Sequence, residues 1–336
     1  MVRVTIGIKA LNEERRIADA ISSALRALEP FDGEVILADS GSRDRTVEIA
    51  RAMPVRIVQL ADQSQRCCGA GAQLAFQQAR GDYFYLLDGD MVLNPAFLPA
   101  AVDFLERNPE FAGVAGAVRE VHTDNAEFQI RAQAVAGGEG WRAGLVDRLD
   151  CGGLYRVSAI REVGYFADRN LHAFEEFDLG ARLQARGWKL ARLDAPGVDH
   201  YGHQQSGYRL LWARLRSGYA GAAGEVLRAA LGREHLGIVL RRLSHVRNAV
   251  AVAAWWIVLA ALALNPWMTP GSRLLALLAL LAAPMAFLAW RRRSLRLGLY
   301  SLASWNIGAF AFFQGLFRRR APPEQPLSLI TITPSD

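Results

Sequence analysis

The sequence predicts an α/β domain, a mostly parallel sheet covered by helices on both faces, followed by an α-helical membrane region. Three observations predict it. Short apolar runs alternate with amphipathic segments over the first hundred residues. Acidic and amide residues gather where those runs end. The text also changes character along the chain: it reads as water-soluble up to about Gly207, and after Asn248 it becomes long uncharged runs separated by arginine clusters. With 336 residues there is room for a sizeable core and for more than one domain.

VTIGIK reads as the first strand, Glu13 to Leu28 as an amphipathic helix and EVILADS as the second strand. Arg45 to Met53 is a helix, VRIVQL the third strand, Gln65 to Arg80 a helix and DYFYLLD the fourth strand. Ligands of such open sheets sit outside the carboxyl ends of the strands. Asn12 and Glu13 follow the first strand, Asp39 and Ser40 the second, and Asp88 and Asp90 the fourth. Asp, Asn and Gly are also ordinary turn formers, and Ser42 or Asp44 can cap the helix that follows. Three strand ends aimed at one rim nevertheless make a site more readily than three unrelated turns.

In YLLDGDMVL, Asp88 and Asp90 flank Gly89. Two carboxylates at a strand end can divide a task, one facing a ribose and the other a divalent ion that neutralises a nucleotide diphosphate. Gly89 lets backbone approach the ligand. A second acidic cluster, Glu175, Glu176 and Asp178, opens the helical pattern EEFDLGARLQARGW. Acids in a first helical turn also suit the helix dipole. Their crowding favours chemistry, because neighbouring carboxylates raise one another's pKa, as a general base requires. No repeat of fixed period is present, and the tail APPEQPLSLITITPSD is expected to be irregular.

The net charge is +6 and the pI about 9.5. The arginines concentrate from Arg209 to Arg247, from Arg291 to Arg296 and from Arg318 to Arg320, flanking the apolar spans. That distribution points to anionic lipid and a cytoplasmic orientation, not to nucleic acid. The opening MVRVTIGIKA is a strand pattern without the features of a signal peptide, which places the first half in the cytosol. Cys67, Cys68 and Cys151 match no metal spacing, and a reduced compartment is the simpler expectation.

Five blocks, IGIKALNEERRI, ADSGSRDRTVEIA, YLLDGDMVLNP, GGLYRVSAIREVGYF and EEFDLGARLQARGW, resemble in order and spacing the family 2 glycosyltransferases. The likeness covers roughly residues 2 to 207. It implies the GT-A fold, a nucleotide-diphosphate sugar donor, a divalent cation (Mg²⁺ or Mn²⁺) and inversion at the anomeric carbon. Carried over, Ala10, Asn12 and Glu13 lie along the nucleotide, Asp39 faces the base, Asp88 faces the ribose beside Gly89, and Asp90 binds the metal and diphosphate. Glu176 stands where the acceptor base is expected, with Glu in place of the commoner Asp, and Glu175 is the second candidate. His200 and His203, in VDHYGHQQSGYR, are possible third metal ligands. Lys9-Ala10-Leu11 replaces a frequent Pro-Tyr pair and Gln73 a usual Asn, neither expected to touch the chemistry directly. Gln204 to Tyr208 lacks the Arg and Trp of the Gln-x-x-Arg-Trp block of processive synthases, which implies single sugar addition.

The domains expected are a catalytic domain over 1–207, basic amphipathic interfacial helices over 208–247, a membrane region over 248–317 and a tail over 318–336. Bases opposite Leu and Trp suit an interface helix, although solvated helices packed on the first domain also fit. Arginine asymmetry makes 248–290 a hairpin with both ends inside. Segment 297–317 is long enough to span, but Arg318 to Arg320 would then lie outside, so it is placed in the interface or as a re-entrant segment. The function expected is a non-processive transferase in the bacterial inner membrane, cytoplasmic in its catalysis, acting on a polyprenyl-linked acceptor in envelope or exopolysaccharide synthesis. The alternatives are transfer to polyprenyl phosphate itself and a catalytically silent membrane scaffold. A dinucleotide oxidoreductase is disfavoured, because no full G-x-G-x-x-G follows the first strand and CGAGAQL lacks the third glycine.

Overall fold

The computed structural model describes residues 3–122, 129–130, 141–202 and 207–332. The chain forms two units, one of residues 1–123, 132–204 and 319–336, the other of 124–131 and 205–318.

The first unit is built on a ten-stranded sheet. β1 (Arg3–Ala10) lies between β2 (Asp32–Asp39) and β4 (Tyr83–Asp88), with β3 (Arg56–Leu60) beyond β2, all parallel. Beyond β4 come β8 (Gly153–Arg156), β6 (Phe111–Glu120), β9 (Lys189–His200) and β5 (Met91–Leu93), while β7 (Gly144–Val146) pairs with β9. Alternation along β1 sorts its side chains between two cores. Val4, Ile6, Ile8 and Ala10 join the core under α1 (Ile17–Leu28) and α4 (Phe97–Arg107). Thr5, Gly7 and Lys9 therefore face the other side, where α3 (Cys68–Gln77) and α6 (Glu175–Ala185) pack. At Gly7 a Cβ would meet the Phe84 ring at 2.7 Å and Ala75 at 2.8 Å, so α3 can approach β1 only because this residue lacks one.

The alternation of strand and helix follows the expected order, with shorter helices. Residues 13–16 form a turn before α1, and Gln63–Gln65 a 3₁₀ turn capped by Asp62 before α3. α2 is Thr46–Arg51 and α5 is Val157–Glu162.

The tail is a correction. Instead of being irregular, it contributes β10 (Leu329–Ile332), antiparallel to β3 at the sheet edge. LITI supplies β-branched residues, and pairing covers an edge that would otherwise expose its hydrogen-bonding groups. Just before it Leu327 is buried, its N–H and C=O both bonded to the Gln77 amide at 2.9 Å.

The second unit is helical: α7 (Gly207–Ser217), α8 (Ala222–Ala230), α9 (Leu236–Arg242), α10 (Ser244–Ala263), α11 (Pro270–Arg292) and α12 (Leu295–Phe317). Among the described residues two helices, α10 and α11, are long and apolar enough to cross a membrane, with mean hydropathies of 1.8 and 2.0. Pro284 sits inside α11, where it cannot supply the N–H that the Leu280 carbonyl would receive. The Trp255 indole N–H fills that gap at 3.1 Å. A second indole, Trp256, donates to Asn306 Oδ1 of α12 at 2.8 Å. α12 packs closely on α8, because a Cβ at Gly224 would lie 2.0 Å from the Phe312 carbonyl oxygen. Arg318 closes that contact with an ion pair to the buried Glu225.

Candidate active site

The loops that follow β1 and β2 are latched side by side. Asn12 takes the left-handed conformation (φ 59°), which Asn tolerates better than most residues. Its N–H donates to Ser42 Oγ and its side-chain oxygen accepts from Arg43 N–H, both at 2.8 Å. Glu13 N–H donates to Thr46 Oγ1 at 2.7 Å. Asp39 is fully buried and accepts from Gly41 N–H, Ser42 N–H, Ser42 Oγ and Gln59 Nε2. Its carboxylate holds the second loop in place, a use that base-facing geometry alone did not anticipate.

The end of β4 adds the acidic turn. A Cβ at Gly89 would lie 2.9 Å from Glu13 Cγ and 3.2 Å from Ala10 Cβ, so Ala10, Glu13 and the turn between Asp88 and Asp90 meet at one point. Burial, then the nearby Asp90 and Asp88 carboxylates, push the Glu13 pKa up to about 8. His200, at the end of β9, has Nε2 3.5 Å from Asp90 Oδ2 and Nδ1 2.7 Å from Glu120 Oε2. Burial works against its charge, but hydrogen bonds to Asp90 and Glu120 outweigh it and raise its pKa to about 9.

These carboxylates repel one another around Gly89, and oxygen donors with an imidazole suit Mg²⁺ or Mn²⁺. Glu120, Cys151 and His200 also bring ligand atoms within 4.8 Å of one another. The hydrogen bond to Glu120 occupies His200 Nδ1 and leaves Nε2 toward Asp90, so the Asp90 side is the better place for a hard cation, with Glu120 orienting the ring. His203 lies outside the described residues.

Opposite stands the start of α6. Phe174, just before it, is left-handed (φ 63°), and so are three residues in a row at Asp150, Cys151 and Gly152 (φ 29°, 64° and 93°). Non-glycine residues held there cost energy, and such strain collects at functional sites. This loop brings Cys151 N–H to Glu176 Oε2 at 3.2 Å. The other oxygen, Oε1, is buried without a hydrogen-bond partner among the described residues. Burial, with Asp150 next in effect, raises the Glu176 pKa to about 8. Glu175 is held differently, its Oε1 2.5 Å from Lys9 Nζ, which also lies 3.2 Å from Asp88 Oδ1.

Two expectations need correcting. Asp178 does not belong to this cluster: fully buried, it pairs with Arg182 at 2.8 Å one turn later, and that guanidinium also donates to the Tyr165 and Phe166 carbonyls. Lys9 does touch the site, because strand alternation points it at the acidic groups. Gln73 stays structural, accepting from Phe166 and Ala167 N–H at 3.0 Å. Sequence reasoning also passed over Glu120 and the loop from Asp150 to Gly152. The signal for Glu120 was the last position of a strand, and for the loop the Asp-Cys-Gly-Gly run.

Residues 5–164 match the model of the family described as Glycosyl transferase family 2. The succinoglycan biosynthesis protein ExoA of Rhizobium meliloti is 28% identical over 214 residues, 58% of this chain and 62% of its own. The undecaprenyl-phosphate 4-deoxy-4-formamido-L-arabinose transferase of Pseudomonas paraeruginosa is 33% identical over 131 residues, 37% of each chain. The chain spans about a third of the length of most curated relatives it matches. In structure it is similar to a mannosyltransferase of Pyrobaculum calidifontis solved with GDP-Man and Mn²⁺, with a TM-score of 0.60 and 18% identity over 93% of this chain and 87% of that one.

Proposed function

We propose, because residues 5–164 match the family 2 glycosyltransferase model on a GT-A fold, that the protein is an inverting glycosyltransferase of that family that moves one sugar from a nucleotide-diphosphate donor to a membrane-associated acceptor. The observation that carries this reading is the pairing, at one rim, of the acidic turn Asp88–Asp90 beside His200 with a buried carboxylate, Glu176, that keeps one oxygen unbonded among the described residues. In this reading Asp88 meets the ribose. Asp90, with His200, would hold a divalent cation, which when bound offsets charge on the departing diphosphate. Glu176 Oε1 takes the proton of the acceptor hydroxyl. The freed oxygen bonds to the anomeric carbon as the bond from that carbon to the phosphate oxygen breaks, so the nucleoside diphosphate leaves with the electron pair and the configuration inverts. A base with a pKa near working pH is efficient in that role.

The acceptor is read as a polyprenyl-linked sugar, and the ExoA relative, named a succinoglycan biosynthesis protein, supports a place in polysaccharide synthesis. The name of the arabinose transferase supports a second reading, transfer to polyprenyl phosphate itself. α10 and α11 are placed as a membrane hairpin at a bacterial inner membrane, with catalysis on the cytoplasmic side. α7 to α9, with Trp212, Leu231 and Leu240 exposed among arginines, lie in the interface, and α12 joins them there.

Thermal-shift measurements with nucleoside diphosphates and Mg²⁺ or Mn²⁺ test the donor: a ligand at ~100 times its Kd adds roughly 2.7 kcal/mol. Product analysis with polyprenyl phosphate and polyprenyl-diphosphate sugar separates the acceptors. No hydrolysis or transfer from any of a panel of nucleotide sugars would leave the scaffold reading standing.

A further inference from the structure

We propose that Lys9 is a positioning residue: by clamping Glu175 to the donor-side Asp88, it withdraws Glu175 from acid–base chemistry and leaves Glu176 as the single base. The inference rests on the reading of Glu176 as acceptor base and explains how two adjacent glutamates acquire different roles. Lys9 is in register with Asp88 across the parallel β1–β4 pair, so their side chains leave the sheet on the same face. Its ammonium lies 3.2 Å from Asp88 Oδ1 and 2.5 Å from Glu175 Oε1. The Lys9 side chain is 16% exposed and that of Glu175 8%, so little water competes for that half of the clamp, whereas Asp88, 33% exposed, opens to the donor side.

Burial alone would lower the pKa of this lysine, but Asp88 and Glu175 together raise it well above its ordinary 10.5, and the clamp is charged at any working pH. The residue type fits the task. Lys9 is one of two lysines among 39 lysines and arginines, and its compact ammonium has three donors with which to bridge two carboxylates. Glu175 is thus held by the ammonium. Glu176, next along α6, has a backbone N–H on one oxygen and, among the described residues, no hydrogen-bond partner on the other.

The test is a double-mutant cycle on the full-length protein in lipid nanodiscs, with kcat and donor KM measured for Lys9→Met, Glu175→Gln and the pair. Lys9→Met releases a buried carboxylate beside the base, and kcat should fall ~10- to 100-fold; removing both charges should recover at least ~10-fold of that loss, a coupling of the size seen between contacting groups. Lys9 acting only as packing predicts additive losses. A Lys9→Met enzyme with wild-type kcat, or a pair no faster than Lys9→Met, overturns the proposal. Glu176→Gln in the same series separates the two readings. If it retains wild-type kcat the base assignment falls and the clamp with it; if it is inactive while the pair shows no recovery, the clamp alone falls. Circular dichroism checks folding. Should Lys9→Met be unfolded, Lys9→Gln, which retains donors without the charge, enters the same cycle with the same outcomes.

Discussion

The two units treat buried polarity in opposite ways. In the first, charge is concentrated: Lys9, Glu13, Asp88, Asp90, Glu175, Glu176 and His200 share the rim at the strand ends, and the strained loop at Asp150–Gly152 presses against them. Apolar side chains such as Ile6, Ile8 and Leu87 are wholly buried beneath. In the second unit many large apolar side chains along α10, α11 and their connection face outward, with Trp267 91% and Leu275 70% exposed, and the polar contacts described above serve the backbone or hold helices together. Trp255 satisfying the carbonyl freed by Pro284 is of that kind. One unit spends stability to gather charge for chemistry, whereas the other satisfies its backbone internally, as a hydrocarbon solvent would demand.

If that contrast is right, changes at the rim alter chemistry and leave membrane behaviour alone. The largest effect is expected from Glu176→Gln, which should lower kcat by ~10²–10⁴ while donor affinity, measured by calorimetry, stays within a few-fold. Greater damage from Glu175→Gln would reverse the two roles. Asp90→Asn should cost ~10²–10³ in kcat with the fold intact, since a neutral amide is a poor ligand for a hard cation. Excess chelator should reproduce the loss in the wild type, and full activity in chelator would remove the cation from the reading.

The crowding should also appear as pH-dependent stability in metal-free protein. Glu13 and Glu176 hold protons to about pH 8 against an ordinary 4.5, and His200 to about 9 against 6.5. The folded chain then binds more protons than the unfolded chain, so stability is highest below these ordinary values and falls as pH rises through 8 to 9. Calorimetric melting at pH 6 and pH 9 in chelator should show the drop, and Glu176→Gln should shrink it. A rise with pH would contradict the crowding. The smallest effect belongs to the other unit: Trp255→Phe leaves the Leu280 carbonyl unbonded and should destabilise it by about 1 kcal/mol, with transfer kinetics of the folded enzyme unchanged. A variant that instead loses donor binding would blur the contrast.

The first four strands, and the rim their ends share, were legible because apolar runs closed by Asp, Asn and Gly leave few other readings. What escaped depends on contacts across the sequence. Glu175 and Glu176 carry the same local signal, and their difference lies in a lysine 166 residues away. Glu120 and His200 meet across 80 residues. Of the three left-handed residues at Asp150 to Gly152, Cys151 is of a type that rarely adopts that conformation, so tertiary packing and not propensity sets it. The pairing of Asp178 with Arg182 was readable, since the two stand four apart on one helix face, and the acidic company of Asp178 drew the opposite conclusion.

β10 limits how the chain could thread a bilayer. Residues 3–202 and 329–332 contribute strands to the same sheet, and one sheet cannot be divided by a membrane. Whatever lies between must therefore cross an even number of times. With α10 and α11 as the pair, α12 has to begin and end on the side it started from, however apolar it is. A cysteine at Ser328, in a background free of the native cysteines, should share the accessibility of one placed on α4. The segment 205–318 is thus an insertion in a folded domain, not an appendage to it. Truncating the chain before residue 319 to obtain a soluble enzyme would strip the covering strand from β3 and leave a sticky edge. Joining residue 204 to residue 319 by a short flexible linker would keep the sheet whole.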